Sequence, residues 1–259
     1  MNVKKQQVEL FSETLRLAYT DQGEGRAFLL LHGGAGPASM SGLGGALAKN
    51  ARTLVPTHPG FNGEPRPDRF TRIEDLVLMY LALLEKLDLR NVVVVGNSVG
   101  GWIAAELALR QSPRIAGIVL LNAVGIDTGV EGREIVDPSK LAPSERAALS
   151  FHAPERFSLA PSGPEAAAAM ANNQRTLRVY AGEPFMHEPT LRSRLAGMTL
   201  PALVAWGASD RIVDVEYGRL YARSIPGARF ELIPEAAHFP HIERQEEVVR
   251  LIGGFAAGL

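Results

Sequence analysis

Four stretches of the chain carry unbroken runs of apolar side chains: Ala27-Phe28-Leu29-Leu30-Leu31, Val92-Val93-Val94-Val95, Ile115 through Leu121, and Ala202-Leu203-Val204-Ala205-Trp206. Each is too short for a core helix and too apolar for a strand with one wet face. They therefore predict inner strands of a parallel sheet covered on both sides. Between the first two runs, Ile73, Leu76, Val77, Tyr80, Leu81, Leu83, Leu84 and Leu87 recur at helical spacing, and Thr71 followed by Glu74 reads as a capping box opening that helix. Shorter signals predict a strand over 53–55, a last strand over 229–233, and helices over 42–49, 215–223 and 244–256. Near the start, strands over 7–11 and 15–20 with a turn at Ser12-Glu13 predict an antiparallel hairpin. Strands alternating with helices in the remainder imply right-handed crossovers and a mainly parallel sheet.

The pattern changes from Asp127 to about Met198. Prolines at 138, 143, 154, 161, 164, 184 and 189 interrupt this stretch and no valine-rich run occurs in it. It reads as a helical insertion, with helices over 144–151 and 164–180, the second opening on Pro164. The expected organisation is one core domain, residues 1–126 and 199–259, with a cap insertion over 127–198. The only low-complexity stretch is the alanine run Ala166 to Ala169.

Composition narrows the function classes. The 259 residues are enough for a large single core. Lys and Arg total 27 against 28 Asp and Glu, giving a formal net charge of −1 with no charge blocks, so no basic field exists for nucleic acid. With no cysteine, a disulfide framework, a thiol nucleophile and cysteine-ligated metals are excluded. No His-Glu-x-x-His or similar spacing occurs, so no metal and no cofactor are expected. The start, Met1 to Phe11, has a small basic patch without an apolar core or cleavage site, and no stretch reaches the length of a membrane span. The expectation is a cytoplasmic protein with a small-molecule substrate and no membrane or nucleic-acid partner, working as a monomer or homodimer.

The candidate chemistry lies where the second apolar run ends. Gly96-Asn97-Ser98-Val99-Gly100 follows a buried strand and opens an alanine-rich helix, the strand–turn–helix setting of a nucleophile elbow. Glycines flank Ser98 because neighbouring backbone passes too close for a β-carbon. A serine hydroxyl at neutral pH needs an imidazole to take its proton and a carboxylate to orient that imidazole. Both should sit at strand ends on the serine's edge. The run ending at Trp206 leads into Gly207-Ala208-Ser209-Asp210, and the strand over 229–233 leads into Pro234-Glu235-Ala236-Ala237-His238-Phe239-Pro240-His241. Asp210 and His238 are the favoured acid and base. Asp214 and Glu235 remain alternative acids, although Asp214 precedes a helix as an N-cap would. His241 remains an alternative base. His32 and His58 read as structural braces of their loops, and His152 and His187 as solvent-exposed or pocket-lining.

With these motifs in order, joined by His32-Gly33-Gly34-Ala35-Gly36 and His58-Pro59-Gly60-Phe61, the chain resembles the α/β-hydrolases with a small cap over essentially its whole length. The resemblance implies a mostly parallel eight-stranded sheet flanked by helices and a helical cap. It also implies Ser98 as nucleophile, Asp210 as acid, His238 as base, and the backbone N–H groups of Gly34 and Val99 as an oxyanion hole. Trp102, just after the elbow, and Phe151, Tyr180, Phe185 and Met186 in the insertion are the expected pocket residues, with Phe157 as a further aromatic.

The fold alone does not fix the reaction. Dehalogenases and epoxide hydrolases of this fold are similar in carrying aspartate at the nucleophile position, so Ser98 argues against both. The His-Gly-Gly-x-Gly loop resembles that of proline iminopeptidases, but the elbow departs from theirs. That elbow is similar to the elbow of meta-cleavage product hydrolases, which break carbon–carbon bonds, yet Phe239 stands where they carry tryptophan. Hydrolysis of a small ester, thioester or lactone is the leading expectation. Carbon–carbon hydrolysis, or a ligand-binding protein on a hydrolase fold, is the alternative, and acyl transfer to another acceptor would use the same residues.

Overall fold

The computed structural model describes residues 4–12, 14–130, 135–157, 159 and 161–259. Strands β1 (Lys4–Leu10) and β2 (Leu15–Gln22) form the expected antiparallel hairpin; Glu13 of its predicted turn lies outside the described residues. The chain continues through β3 (Ala27–Leu31), helix α1 (Ala38–Leu47), β4 (Arg52–Pro56), α2 (Ile73–Lys86), β5 (Val92–Asn97), α3 (Val99–Leu109) and β6 (Ile115–Leu121). Residues 127–198 contribute α4 (Pro143–Ser150), α5 (Pro164–Ala181) and α6 (Leu191–Leu195). The sheet resumes with β7 (Ala202–Gly207), α7 (Val215–Arg223) and β8 (Arg229–Ile233), and the chain closes with α8 (Pro240–Glu243) and α9 (Gln245–Ala257).

These strands form one eight-stranded sheet in the order β1-β2-β4-β3-β5-β6-β7-β8. β2 meets both neighbours antiparallel and every pairing from β4 to β8 is parallel. Alternation along the inner strands divides the core. Leu29, Leu31, Val92, Val94, Ile118, Leu120 and Trp206 face the layer of α2, α3 and α7. Leu30, Val93, Val95, Val119, Leu121 and Ala205 face α1 and α9. Both faces being covered is why these strands lack polar positions.

Register decides where the chemistry goes. Leu31 pairs with Gly96, Asn97 with Leu121, Leu121 with Ala205 and Gly207 with Ile233. The carboxyl ends of β3, β5, β6, β7 and β8 therefore finish level, and the loops that follow them share one edge, where open parallel sheets hold their ligands.

Three local expectations are corrected. The first helix begins at Ala38 rather than at residue 42, because Gly36, with φ of +85°, turns the chain early and accepts the Ser39 hydroxyl and N–H at its carbonyl. The α2 cap does not use Glu74: Asp75 accepts the backbone N–H groups of Thr71 and Arg72, each at 2.9 Å, one position later than the sequence pattern suggests. The closing helix starts at Gln245, one residue later than expected, because Arg244, with φ −129° and ψ 48°, is not helical and separates it from the short α8.

Candidate active site

Ser98 occupies the corner between β5 and α3 with φ 56° and ψ −121°, a conformation costly to any residue with a β-carbon and tolerated where the surroundings enforce it. They do so by crowding. A β-carbon on Gly96 would lie 2.1 Å from the Gly100 carbonyl oxygen, and one on Gly100 would lie 2.1 Å from that of Leu31. The Ser98 N–H donates to Leu121 O at 3.1 Å, and its carbonyl accepts from Gly101, Trp102 and Val124. Ser98 is 7% exposed, and that exposure is to a cavity of about 270 Å³.

His238 opens into the same cavity from the loop after β8. Its Nδ1 lies 2.9 Å from Asp210 Oδ2; a carboxylate accepts only, so Nδ1 carries the proton and Nε2 is left as the acceptor. Asp210 is thoroughly held. Oδ1 accepts the N–H groups of Ile212 at 2.8 Å and Val213 at 3.1 Å, while Oδ2 also accepts the Asn122 side-chain amide at 2.6 Å. Four donors on a buried carboxylate offset its loss of water. No hydrogen bond joins Ser98 Oγ to His238 among the described residues, so the hydroxyl is free to turn toward a ligand.

The His238 backbone is fixed from two directions. Its N–H donates to the carbonyl of Ser150, the last residue of α4, at 3.0 Å, and its carbonyl accepts the Asn97 side-chain amide at 3.0 Å. Asn97 and Asn122 escaped the sequence reading; each stands at the end of a buried apolar strand, and a polar residue fully buried in that position was the available signal. Across the cavity, Gly34 forms part of the wall and Val99 is the first residue of α3. Among the described residues neither backbone N–H has an acceptor. For Val99 this follows from its place in the first helical turn.

Most of the cavity wall is apolar and comes from residues 127–198. Phe151 and Met186 line it, together with Met170, Gln174 and Leu177, which share one face of α5. Trp102, Tyr180 and Phe185 do not line it. Trp102 packs on Gly125, where a β-carbon would lie 2.5 Å from the indole. Tyr180 donates to the Pro59 carbonyl at 3.1 Å and stacks on Phe61. Phe185 packs against the core on the α3 side of the sheet. Aromatic composition showed that a pocket could be built, but not which rings would be spent anchoring the insertion. Arg146 also lines the cavity, and no acidic group pairs with it among the described residues.

The remaining histidines fall into place. His32 Nε2 accepts the His58 N–H, and His58 reaches the Tyr80 hydroxyl and the His32 carbonyl. Burial, then the neighbouring His58, holds the His32 ring well below its ordinary pKa; burial lowers His58 to about 4. His241 is buried and neither ring nitrogen has a hydrogen-bond partner among the described residues, the nearby Ser39 backbone falling short of bonding geometry. Burial, then the proximity of His238, lowers it to about 3. His152 Nδ1 meets Ser209 Oγ at 2.7 Å and His187 Nδ1 meets the Phe185 carbonyl at 3.1 Å; neither lines the cavity. Asp214 caps α7 through the Tyr217 N–H at 2.8 Å, and Glu235 pairs with Arg244 at the surface. Among the described residues no cluster of His, Asp and Glu is arranged to hold a metal ion, and no helix is long and apolar enough to cross a membrane.

Comparison with known proteins agrees with this architecture. The model of the alpha/beta hydrolase family matches residues 28–251. A 2-hydroxymuconate semialdehyde hydrolase of Pseudomonas putida is 29% identical, with 99% of this chain and 98% of that protein covered. A 2-hydroxy-6-oxo-2,4-heptadienoate hydrolase of a P. putida strain is 26% identical over 92% and 91%. Among solved structures, the meta-cleavage product hydrolase of Pseudomonas fluorescens superposes with a TM-score of 0.78 at 21% identity, covering 96% of each chain. An esterase of Thermogutta terrifontis gives 0.73 at 22%, covering 98% of each. At these identities the structural matches speak for the fold alone.

Proposed function

The chain belongs to the alpha/beta hydrolase family, and from that membership we propose that it is a serine hydrolase cleaving a small ester, thioester or lactone with an apolar acyl group. The observation that carries this reading is the meeting of Ser98 and His238 in one apolar cavity, with Asp210 held behind the imidazole. Ser98 Oγ attacks the carbonyl carbon as His238 Nε2 takes its proton, and Asp210 stabilises the imidazolium that forms. The N–H groups of Gly34 and Val99 receive the developing oxyanion, Val99 with the added field of the α3 N-terminus. Collapse expels the alcohol or thiol, which takes the proton from His238, and water then releases the acyl group by the same steps reversed. Residues 127–198 act as the cap, with Phe151, Met186 and Leu177 bounding the acyl site.

A second reading is favoured by a specific observation. The relatives named above act on a 2-hydroxymuconate semialdehyde and a heptadienoate, one bearing a carboxylate by name and the other an anion of the same kind. Arg146 is a cavity-lining cation that no acidic group pairs with among the described residues, suited to such a group. Turnover of p-nitrophenyl esters and lactones, measured beside turnover of a 2-hydroxy-6-oxodienoate, separates the two. Ester turnover unaffected by Arg146→Leu supports the first reading. Preferential dienoate cleavage that collapses in the same variant supports carbon–carbon hydrolysis.

A further inference from the structure

The insertion does more than cover the cavity. Glu243, the last residue of α8, spreads its carboxylate between the loop just before it and a segment 90 residues earlier in the sequence. Oε2 accepts the N–H of Ala237, the residue before His238, at 2.7 Å. Oε1 accepts the N–H groups of His152 and Ala153 at 2.8 and 3.1 Å. Those two residues follow Phe151 in the cavity wall and Ser150, whose carbonyl accepts the His238 N–H. A parallel tie runs beside it: His152 Nδ1 meets the hydroxyl of Ser209, the neighbour of Asp210.

We propose that Glu243 is a positioning residue for His238, one carboxylate locking the histidine loop to the cap segment 150–153 so that seating the cap and aiming the imidazole are a single structural event. This rests on the serine hydrolase reading for its kinetic consequence. The geometry explains why a carboxylate is required. Three backbone N–H groups converge on it from two sides, and only a group that accepts at both oxygens satisfies them. An amide would turn its NH₂ toward one side and release either the loop or the cap. Removal would leave the loop attached to this segment by the Ser150 carbonyl and by the stacking of Phe239 on Phe151.

The test compares Glu243→Gln and Glu243→Ala with Glu235→Gln, a surface control, in the full-length protein. Three quantities are read: kcat and KM on p-nitrophenyl acetate, the rate at which a fluorophosphonate labels Ser98, and the downfield proton resonance of His238 Nδ1–H bonded to Asp210. The expected result is a fall in kcat and labelling rate of about tenfold for Glu243→Ala and a few-fold for Glu243→Gln. KM should be little changed, because Glu243 does not itself line the cavity, and the His238 resonance should be broadened or shifted. Ser209→Ala, which cuts only the parallel tie, should add to the loss in Glu243→Gln by more than its effect alone. If Glu243→Ala does not fold, the Gln variant and this pair decide. A folded Glu243→Gln with unchanged kcat, labelling and resonance, whatever its melting temperature, overturns the proposal. Failure of the wild type to be labelled would contradict the hydrolase reading instead, and the resonance would still report whether Glu243 positions His238.

Discussion

Asn122 donates its side-chain amide to Asp210 Oδ2 at 2.6 Å, on the same carboxylate oxygen that meets His238 Nδ1. Its own side-chain carbonyl oxygen accepts the Gly207 N–H at 3.2 Å, so one buried amide joins the ends of β6 and β7 and fixes the Asp210 carboxylate. Asn122→Ala should lower stability by about 1–3 kcal/mol and kcat roughly tenfold, since two buried partners lose their bonds. Denaturant melts and steady-state kinetics on one preparation check both; a variant with full activity would show that Asp210 needs no such support.

The two aspartates near this loop predict opposite phenotypes. Asp210→Asn should leave the protein folded and reduce kcat/KM by about three to four orders of magnitude, because an amide favours the wrong imidazole tautomer and cannot stabilise its cation. Asp214→Ala should cost about 1 kcal/mol as a lost helix cap and leave kcat/KM close to wild type. Exchanged phenotypes would move the acid to Asp214.

Acid stability follows from three buried neutral histidines. His32, His58 and His241 have pKa values lowered by burial, the last two to about 4 and about 3. Each would titrate near 6.5 in the unfolded chain. Below that pH the unfolded state binds protons that the native state refuses, so stability falls as pH drops from about 6.5 toward 4. With all three in that window the slope approaches about 4 kcal/mol per pH unit. Urea midpoints measured from pH 8 to pH 4 test this. A flat profile through pH 5 would mean that the rings are protonated or hydrated in the native state.

Pocket and anchor side chains should separate in substrate preference. Leu177→Ala and Met186→Ala enlarge the cavity and should extend the longest p-nitrophenyl ester accepted. Tyr180→Phe removes only the bond to the Pro59 carbonyl and should lower the melting temperature without altering the chain-length profile. A changed profile for Tyr180→Phe would return that ring to the substrate site.

The sheet and the elbow were legible because their causes are local. An all-apolar run such as Val92 to Val95 has one stable setting, and the crowding around Ser98 leaves glycine as the only residue for positions 96 and 100. The strand over 229–233 and the helix over 215–223 have the predicted limits for the same reason. What escaped depends on partners distant in sequence. Asn97 reads as an ordinary elbow residue until the carbonyl of His238, 141 positions later, comes to its amide. The insertion's aromatics were identified as a set, but whether a ring met substrate or Phe61 depended on how α5 lay on the loop after β4. Asp75 and Glu74 are equally good caps on paper, and backbone geometry selected Asp75.

The proposed mechanism depends on His238 activating the Ser98 hydroxyl for attack on a carbonyl. Mass-spectrometric mapping of a fluorophosphonate adduct tests it most directly. The expected result is one modified residue, Ser98, with labelling abolished in Ser98→Ala and slowed by orders of magnitude in His238→Ala. Labelling at Ser150 or another serine, or labelling of Ser98 at an equal rate without His238, would contradict it.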